Sequence, residues 1–505
     1  MPAVILAALT LAGVAGFLRA QQAVTGNLWG VPVDDAYIHF QFARNLATGH
    51  GFAFNPDQAV PGSTSPLWVI LLAAAYKVGI PLWLAAKVFG TLFLGIAALL
   101  VWRIALRLGL AVPVALAAGA LTALDGRLLW AAPSGMEVTL FAALCLAAFL
   151  VRLDVTARST PAGGSEREGP TDAAATRRGL LLVALLSGLA TLTRPEGLLL
   201  FVVIMADVVW RCRPRTGSLA GAVILYLALV APYAAFSLAT SGHILPTTFY
   251  AKSRGIGPDT LSLAVQYVAV LAYYGLLTNP PALIVAPIGA FALWRMRGEA
   301  RALVAWPVLL LVFQAVLSPL LYHFGRYAMP LQPFFALWAV TGLARLTRTP
   351  TKGQTWRGAL PSLALVVVGV LTLGTWAGAY ARSVYEINTM QVGIGKWVRD
   401  HVPAGAPIAL NDIGAITYIG GHPAIDVVGL VSPAFISLQR ETPASRAERD
   451  VFAALRRQGA RYLIIFPAWY PQLAAQPGLH KVYSVTIRHP IVVGAPTMVV
   501  YKMPL

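Results

Sequence analysis

The stretch VDDAYIHFQFARNLATGHGFAFNPD, Val33 to Asp57, sets two adjacent carboxylates in a chain that otherwise rations polar residues. Asp34, Asp35 and Asp57 are the only carboxylates before Asp125. Adjacent carboxylates repel, so keeping both ionised requires a cation, a hydrogen-bond network or a shared proton. The setting of the pair is a membrane: 58% of the residues are hydrophobic, 11% are charged and the mean hydropathy is +0.70. Apolar runs of roughly 15 to 22 residues recur to about residue 380, near the length that spans a hydrocarbon core of about 30 Å. Beyond them the runs shorten and alternate like strands. This divides the chain into a polytopic membrane part, 1–380, and a small α/β tail, 381–505.

The net charge of +18 sits in short clusters between apolar runs. That is the pattern of cytoplasmic loops, not of a nucleic-acid surface, and no nucleic-acid partner is expected. Arg103 with Arg107, the segment Arg152 to Arg178, RCRPR at Arg211 to Arg215, Arg295 to Arg301 and Arg345 to Arg357 are therefore placed inside. About 11 spans satisfy the alternation: 2–19, 82–102, 110–125, 137–152, 179–194, 196–211, 217–238, 280–296, 302–322, 327–345 and 360–380. The stretches 66–79 and 260–277 would each break it and are assigned to the outer interface. The first run ends in LRAQQA but lacks a basic n-region, so it reads as a retained helix rather than a signal peptide. The segment 153–178 reads as a flexible cytoplasmic loop. The two cysteines, Cys145 and Cys212, imply no disulfide framework.

This topology gathers the polar islands on the outer side: the first loop, 20–65, SGME at Ser134 to Glu137, TRPEG at Thr193 to Gly197, PTTFYAK at Pro246 to Lys252, and HFGRY at His323 to Tyr327. The tail joins them. It carries five β-rich runs, PIALND, AIDVVG, RYLIIF, KVYSVTI and TMVVYKM, and one helix, ASRAERDVFAALRRQG. Asp412 in NDIGAI reads as a helix N-cap, with ligand contact as the alternative. Asp34 and Asp35 read either as a turn and helix cap or as a general base with its partner. Arg194, Lys252, His323 and Arg326 oppose the positive-inside bias and suit a phosphate held at the membrane surface. Glu137 and Glu196 are costly at span ends unless paired. Asp207, one turn before Arg211, is explained by an i,i+4 ion pair.

The residues DDAYIHFQFARNLATGHGFAFNPDQAVPGSTSPLW resemble the first extracytoplasmic loop of the GT-C glycosyltransferases, and most of all the branch containing the mycobacterial terminal β-(1→2)-arabinofuranosyltransferase. The resemblance continues through SGMEVTLF, LTRPEG, PTTFYAK, HFGRY and DIGAITYIGGHPAIDVVGL. It implies an α-helical polytopic membrane enzyme of the bacterial inner membrane, with site and tail extracytoplasmic. Such an enzyme moves a sugar from a polyprenyl-phosphate donor to a glycan or glycolipid acceptor of the cell envelope, directly and with inversion. By it, Asp34 leads as general base with Asp35 as partner or substitute. Arg194, Lys252, His323 and Arg326 take the donor phosphate. His39, Arg44, Glu137, Glu196, Tyr250 and Tyr327 support them or meet sugar. Some members use a divalent cation at the acidic motif, but no His-rich or multi-carboxylate ligand set accompanies it here, so no obligatory metal or other cofactor is expected. The tail is shorter than in the arabinosyltransferase, which leaves the donor sugar open. An oligosaccharide ligase acting on a lipid carrier is the nearest rival, and a lipid flippase or transporter the next.

Overall fold

The computed structural model describes residues 1–158, 170–252, 257–296, 300–347, 355–436 and 444–504. Seven helices are long and apolar enough to cross a membrane, eight if Val112–Ala123 and Gly126–Ser134, bent by 43°, make one span. The protein is thus a multi-pass membrane protein. The helix Pro2–Thr25 is stopped by Gly26, whose φ of 61° lies in the left-handed region that closes helices. Pro66–Lys77, with 12 residues, is too short to cross, in keeping with an interfacial place for 66–79. Thr260–Thr278, assigned to the outer interface because a crossing there breaks the alternation of sides, is one continuous 19-residue helix, by length and composition long and apolar enough to span. Of the expected loop 153–178, residues 159–169 lie outside the described residues, and helices reach Arg158 on one side and start at Pro170 on the other.

The bend between Val112–Ala123 and Gly126–Ala131 has a cause in sequence. Asp125 leaves the helical conformation, and its carboxylate accepts from the Arg127 and Leu128 N–H groups at 3.0 and 2.9 Å, starting a new helix in a new direction. Asp207 accepts from Arg211 at 2.8 Å, as its spacing predicts, and also pairs with the buried Arg152.

The last span does not end at the membrane. Gly358–His401 is an almost unbroken helical run of 44 residues, about 66 Å at 1.5 Å per residue, twice what the hydrocarbon needs. One turn of π-helix, Asn388–Val392, marks its passage into the tail. There, five strands form one sheet: β1 (Ile408–Leu410), β2 (Ala424–Asp426), β3 (Tyr462–Ile465), β4 (His480–Thr486) and β5 (Thr497–Lys502). Their order is β2-β1-β3-β5-β4, with β1 parallel to β2 and β3, and β5 antiparallel to β3 and β4. The central strands β1 and β3 are buried on both faces, as their unbroken apolar sequences require.

The tail sits on the first loop. Asn55 clamps the Ala424 backbone in both directions, donating to its carbonyl and accepting from its N–H, each at 2.9 Å. Thr247 donates to the Leu430 carbonyl at 2.5 Å. Arg44 donates to the Tyr418 carbonyl at 3.2 Å and lies 4.6 Å over that tyrosine's ring.

Candidate active site

The helix Asp35–Ala47 begins at the carboxylate pair, and its first turn sends the two side chains apart. Asp35 lines a cavity between the first loop, the Thr247–Lys252 helix and Arg326. Its Oδ2 accepts from Lys252 Nζ at 3.1 Å and from Arg326 Nη2. Burial opposes its ionisation, but Lys252 and Arg326 outweigh burial and hold its carboxyl well below the usual range.

Asp34 faces the tail. Its two oxygens accept from the Gly414 and Ala415 N–H groups at 2.8 and 2.7 Å, at the start of the helix Gly414–Gly420. A helix start leaves N–H groups without intrahelical partners, and here a carboxylate from the membrane part fills them. Residue 414 has to be glycine, because a Cβ would stand 2.6 Å from Asp34 Oδ2. Burial, then the charge of Asp412, pushes the Asp34 carboxyl well above its usual range. The N-cap expected of Asp412 is therefore supplied by Asp34. Asp412 instead accepts from Gln391 at 2.9 Å and from Asn411 at 3.2 Å, and burial pushes it up to about 6.

Arg326 is 2% exposed, and among the described residues its Nε and Nη1 have no hydrogen-bond partner. A buried guanidinium with unused donors is a costly arrangement unless an anion completes it. Tyr327 lies beside it, accepting from Arg326 Nη2 at 3.3 Å, with its ring 5.0 Å beneath Arg194. His323 is half-buried, and desolvation together with the Arg326 charge pushes it down to about 3, so it is neutral at pH 7. It stands beside the site through Arg326 and does not line the cavity.

A second group of charges completes the wall. Arg194 donates to Glu137 at 3.1 Å and to Glu196 at 2.9 Å. His39 Nε2 lies 3.5 Å from Glu137, and its Nδ1 lies 3.2 Å from Ser63 Oγ. The sequence offers Arg194 to phosphate, yet the structure shows a cation already matched by two carboxylates. Lys252 and Arg326 share one. The cavity thus holds three cations, Arg194, Lys252 and Arg326, against Asp35, Glu137 and Glu196. Arg44 and Tyr250 lie elsewhere, Arg44 under the tail and Tyr250 against His243 with ring centroids 4.5 Å apart. Ser63, Thr64 and Gln314 also line the cavity and were passed over in sequence, although PGSTSPLW adjoins the acidic motif.

The donor set does not suit a metal ion. Asp34 is committed to two N–H groups and Asp35 to two cations, and among the described residues no three His, Cys, Asp or Glu side chains converge as ligands.

A family profile described as a domain of unknown function (DUF8728) matches residues 381–501, and no curated protein matches the chain in sequence. Several solved structures share its fold. ArnT from Cupriavidus metallidurans in the apo state is 15% identical, with 97% of each chain covered and a TM-score of 0.59. The same protein bound to undecaprenyl phosphate is 14% identical, with 97% of each chain covered and a TM-score of 0.61. The apo oligosaccharyltransferase of Archaeoglobus fulgidus is 11% identical, covering 95% of this chain and 73% of its own, with a TM-score of 0.60. The chain shares its overall fold with these structures, and in it a small sheet domain follows the helical membrane part.

Proposed function

We propose that this chain is a glycosyltransferase that takes a sugar from a polyprenyl-phosphate donor and passes it to a glycan or glycolipid hydroxyl, at a site facing away from the cytoplasm of a bacterial inner membrane. One observation carries the reading: Arg326, buried and with two unused nitrogens, stands with Lys252 around a single carboxylate in a cavity of a membrane protein. That the similarly folded ArnT binds undecaprenyl phosphate supports a lipid phosphate as the class of ligand. Fold alone decides no activity, so the weight rests on the site.

The chemistry follows from the charges. A sugar linked through phosphate to a polyprenol carries one negative charge, and as the bond from the anomeric carbon to the phosphate oxygen breaks, the leaving monoester gains a second. Lys252 and Arg326 meet that growing charge, so they stabilise the transition state more than the ground state. The acceptor hydroxyl attacks the anomeric carbon from the opposite face, and its proton goes to a carboxylate. Asp35 takes that role, reversing the order the sequence suggests, because it lines the cavity while both oxygens of Asp34 are engaged by the tail. In the free protein Asp35 is a weak base. Once the phosphate draws Lys252 and Arg326, its proton affinity rises. Transfer is direct and inverts the anomeric centre.

Glu137, Glu196 and His39 suit sugar hydroxyls, with Arg194 holding the two glutamates in place. The tail from about residue 381, docked on Asp34 and on Asn55 of the first loop beside the cavity, is where acceptor would bind. Arabinofuranose as the donor sugar rests on the resemblance of the first loop. The test is binding of undecaprenyl phosphate in nanodiscs: Arg326→Gln and Lys252→Gln should each weaken it tenfold or more at unchanged melting temperature. Wild-type affinity in both variants would refute the phosphate site.

A further inference from the structure

Arg326 is the last link of a chain of contacts that begins in the bent membrane helix. The three residues before it, His323, Phe324 and Gly325, have φ of 53°, 59° and 66°. Two of them carry side chains, for which the left-handed region is sterically costly. A strap of this kind persists only where its surroundings over-determine it, and such strain gathers at functional sites. Two holds are visible. The Phe324 ring is enclosed by Trp130, Trp376 and Tyr274, at centroid distances of 5.5, 5.7 and 6.0 Å. Beneath it, Arg127 Nη2 donates to the Phe324 carbonyl at 2.9 Å and to the Gly325 carbonyl at 3.1 Å.

Arg127 is 2% exposed and lies 5.5 Å over the Tyr274 ring; among the described residues its Nε is without a partner and no ion pair joins it to a carboxylate. Asp125 meets its backbone N–H, not its guanidinium. A buried cation has thus been placed to grip two carbonyls of one strap. The second of those carbonyls belongs to the peptide unit that joins Gly325 to Arg326, so its direction sets where the Arg326 side chain departs. The fit is close: a Cβ on residue 325 would stand 2.7 Å from Leu271 Cδ2 and 3.2 Å from Arg127 Nη2.

We infer that Arg127 is a positioning residue for the phosphate-facing Arg326, acting through the backbone of the strap His323–Gly325. This rests on the phosphate reading above, and the experiment separates the two. Undecaprenyl phosphate binding and thermal melting are measured on the full chain in nanodiscs for Arg127→Gln, Arg127→Lys, Gly325→Ala, Arg326→Gln and the double variant of Arg127→Gln with Gly325→Ala. Arg127→Gln and Gly325→Ala are each expected to weaken binding about tenfold, and the double variant no further than about threefold more, because both release the same strap. Arg127→Lys, which keeps a donor for the carbonyls, should bind within about threefold of wild type. A purely structural arginine would lower the melting temperature and leave the affinity of the folded protein alone. Wild-type affinity in Arg127→Gln, or in Gly325→Ala should the first not fold, together with weakened Arg326→Gln, overturns the positioning role and leaves the phosphate site standing. Wild-type affinity in Arg326→Gln removes the inference, and the same result in Lys252→Gln removes the phosphate site with it.

Discussion

Replacing Asp35 by Asn separates its two duties, counter-ion and base. Asp35 Oδ2 lies 3.1 Å from Lys252 Nζ and is also bonded to Arg326. At an effective dielectric of about 20, the Lys252 pair alone has a gross attraction of roughly 5 kcal/mol. An incoming phosphate has to compete with that attraction, and the amide of Asn does not oppose it. Most of the gross figure is offset by the cost of taking both ions out of water. A surviving gain of about 1.4 kcal/mol would already tighten undecaprenyl phosphate binding tenfold. Turnover should move the other way, falling roughly 10²- to 10⁴-fold with the loss of the base. Tighter ligand binding with slower transfer is the signature. The assay pairs affinity for undecaprenyl phosphate in nanodiscs with release of polyprenyl phosphate from a panel of pentosyl and hexosyl donors. If Asp35 merely kept the two cations in place, Asn would weaken binding and lower melting together. Weaker binding with near-normal turnover would refute both the exchange of counter-ions and the base.

Four further outcomes follow from the same geometry. Asp34→Asn keeps one acceptor oxygen and turns an NH₂ toward the tail, so it should cost about 1 to 3 kcal/mol in melting and leave turnover per folded molecule within tenfold of wild type; a loss of 10² or more at unchanged melting would return the base to Asp34. The acid limb of the pH profile should lie higher for kcat than for kcat/KM, because Asp35 is held below its usual range in the free enzyme and freed by phosphate in the complex; coincident limbs would contradict this. Burial pushes Asp426 up to about 6. Between about pH 4 and 6 the folded protein therefore keeps a proton that the unfolded chain has released, and stability from this group is lost as pH rises through that window. Asp426→Asn should flatten the melting slope there, and an unchanged slope would exclude Asp426 as its source. For topology, cysteines at position 58 and position 481, on a background without Cys145 and Cys212, should react with an impermeant reagent from the outside, and one at position 177 should not; the reverse pattern would invert the orientation.

What was legible in sequence followed from strong local patterns. The five β-rich runs of the tail all became strands, because each is short, apolar and bounded by Gly or Pro. The Asp207 and Arg211 pair was readable from its i,i+4 spacing, but Arg152, which also binds Asp207, comes from another helix and left no local sign. The site is harder because its partners are distant. Lys252 and Arg326 reach Asp35 across 217 and 291 residues, and Gly414 reaches Asp34 across 380. Topology could place these groups on one side of the membrane. It could not say which carboxylate each would choose. Arg127 carried a signal that was passed over, a charge inside an apolar stretch, which in a membrane part calls for an explanation.

The adjacency of Asp34 and Asp35 now has a physical account. Successive residues at the start of a helix leave its axis about 100° apart, so two neighbouring carboxylates on a helix do not share one partner. Each has found its own. Asp35 looks into two cations, which favour its charge. Asp34 looks into the tail, where two N–H groups receive it but burial and Asp412 press against its ionisation. The pair therefore ties the tail to the cavity that Asp35 lines, with one peptide bond between them. A tail that lifted away would strip Asp34 of both partners and loosen the first turn that aims Asp35. On this reading the docked tail is a condition of the catalytic geometry, and Asp34→Asn should raise the KM for acceptor while sparing undecaprenyl phosphate affinity. Equal losses for acceptor and phosphate would show that the two aspartates act as one site after all.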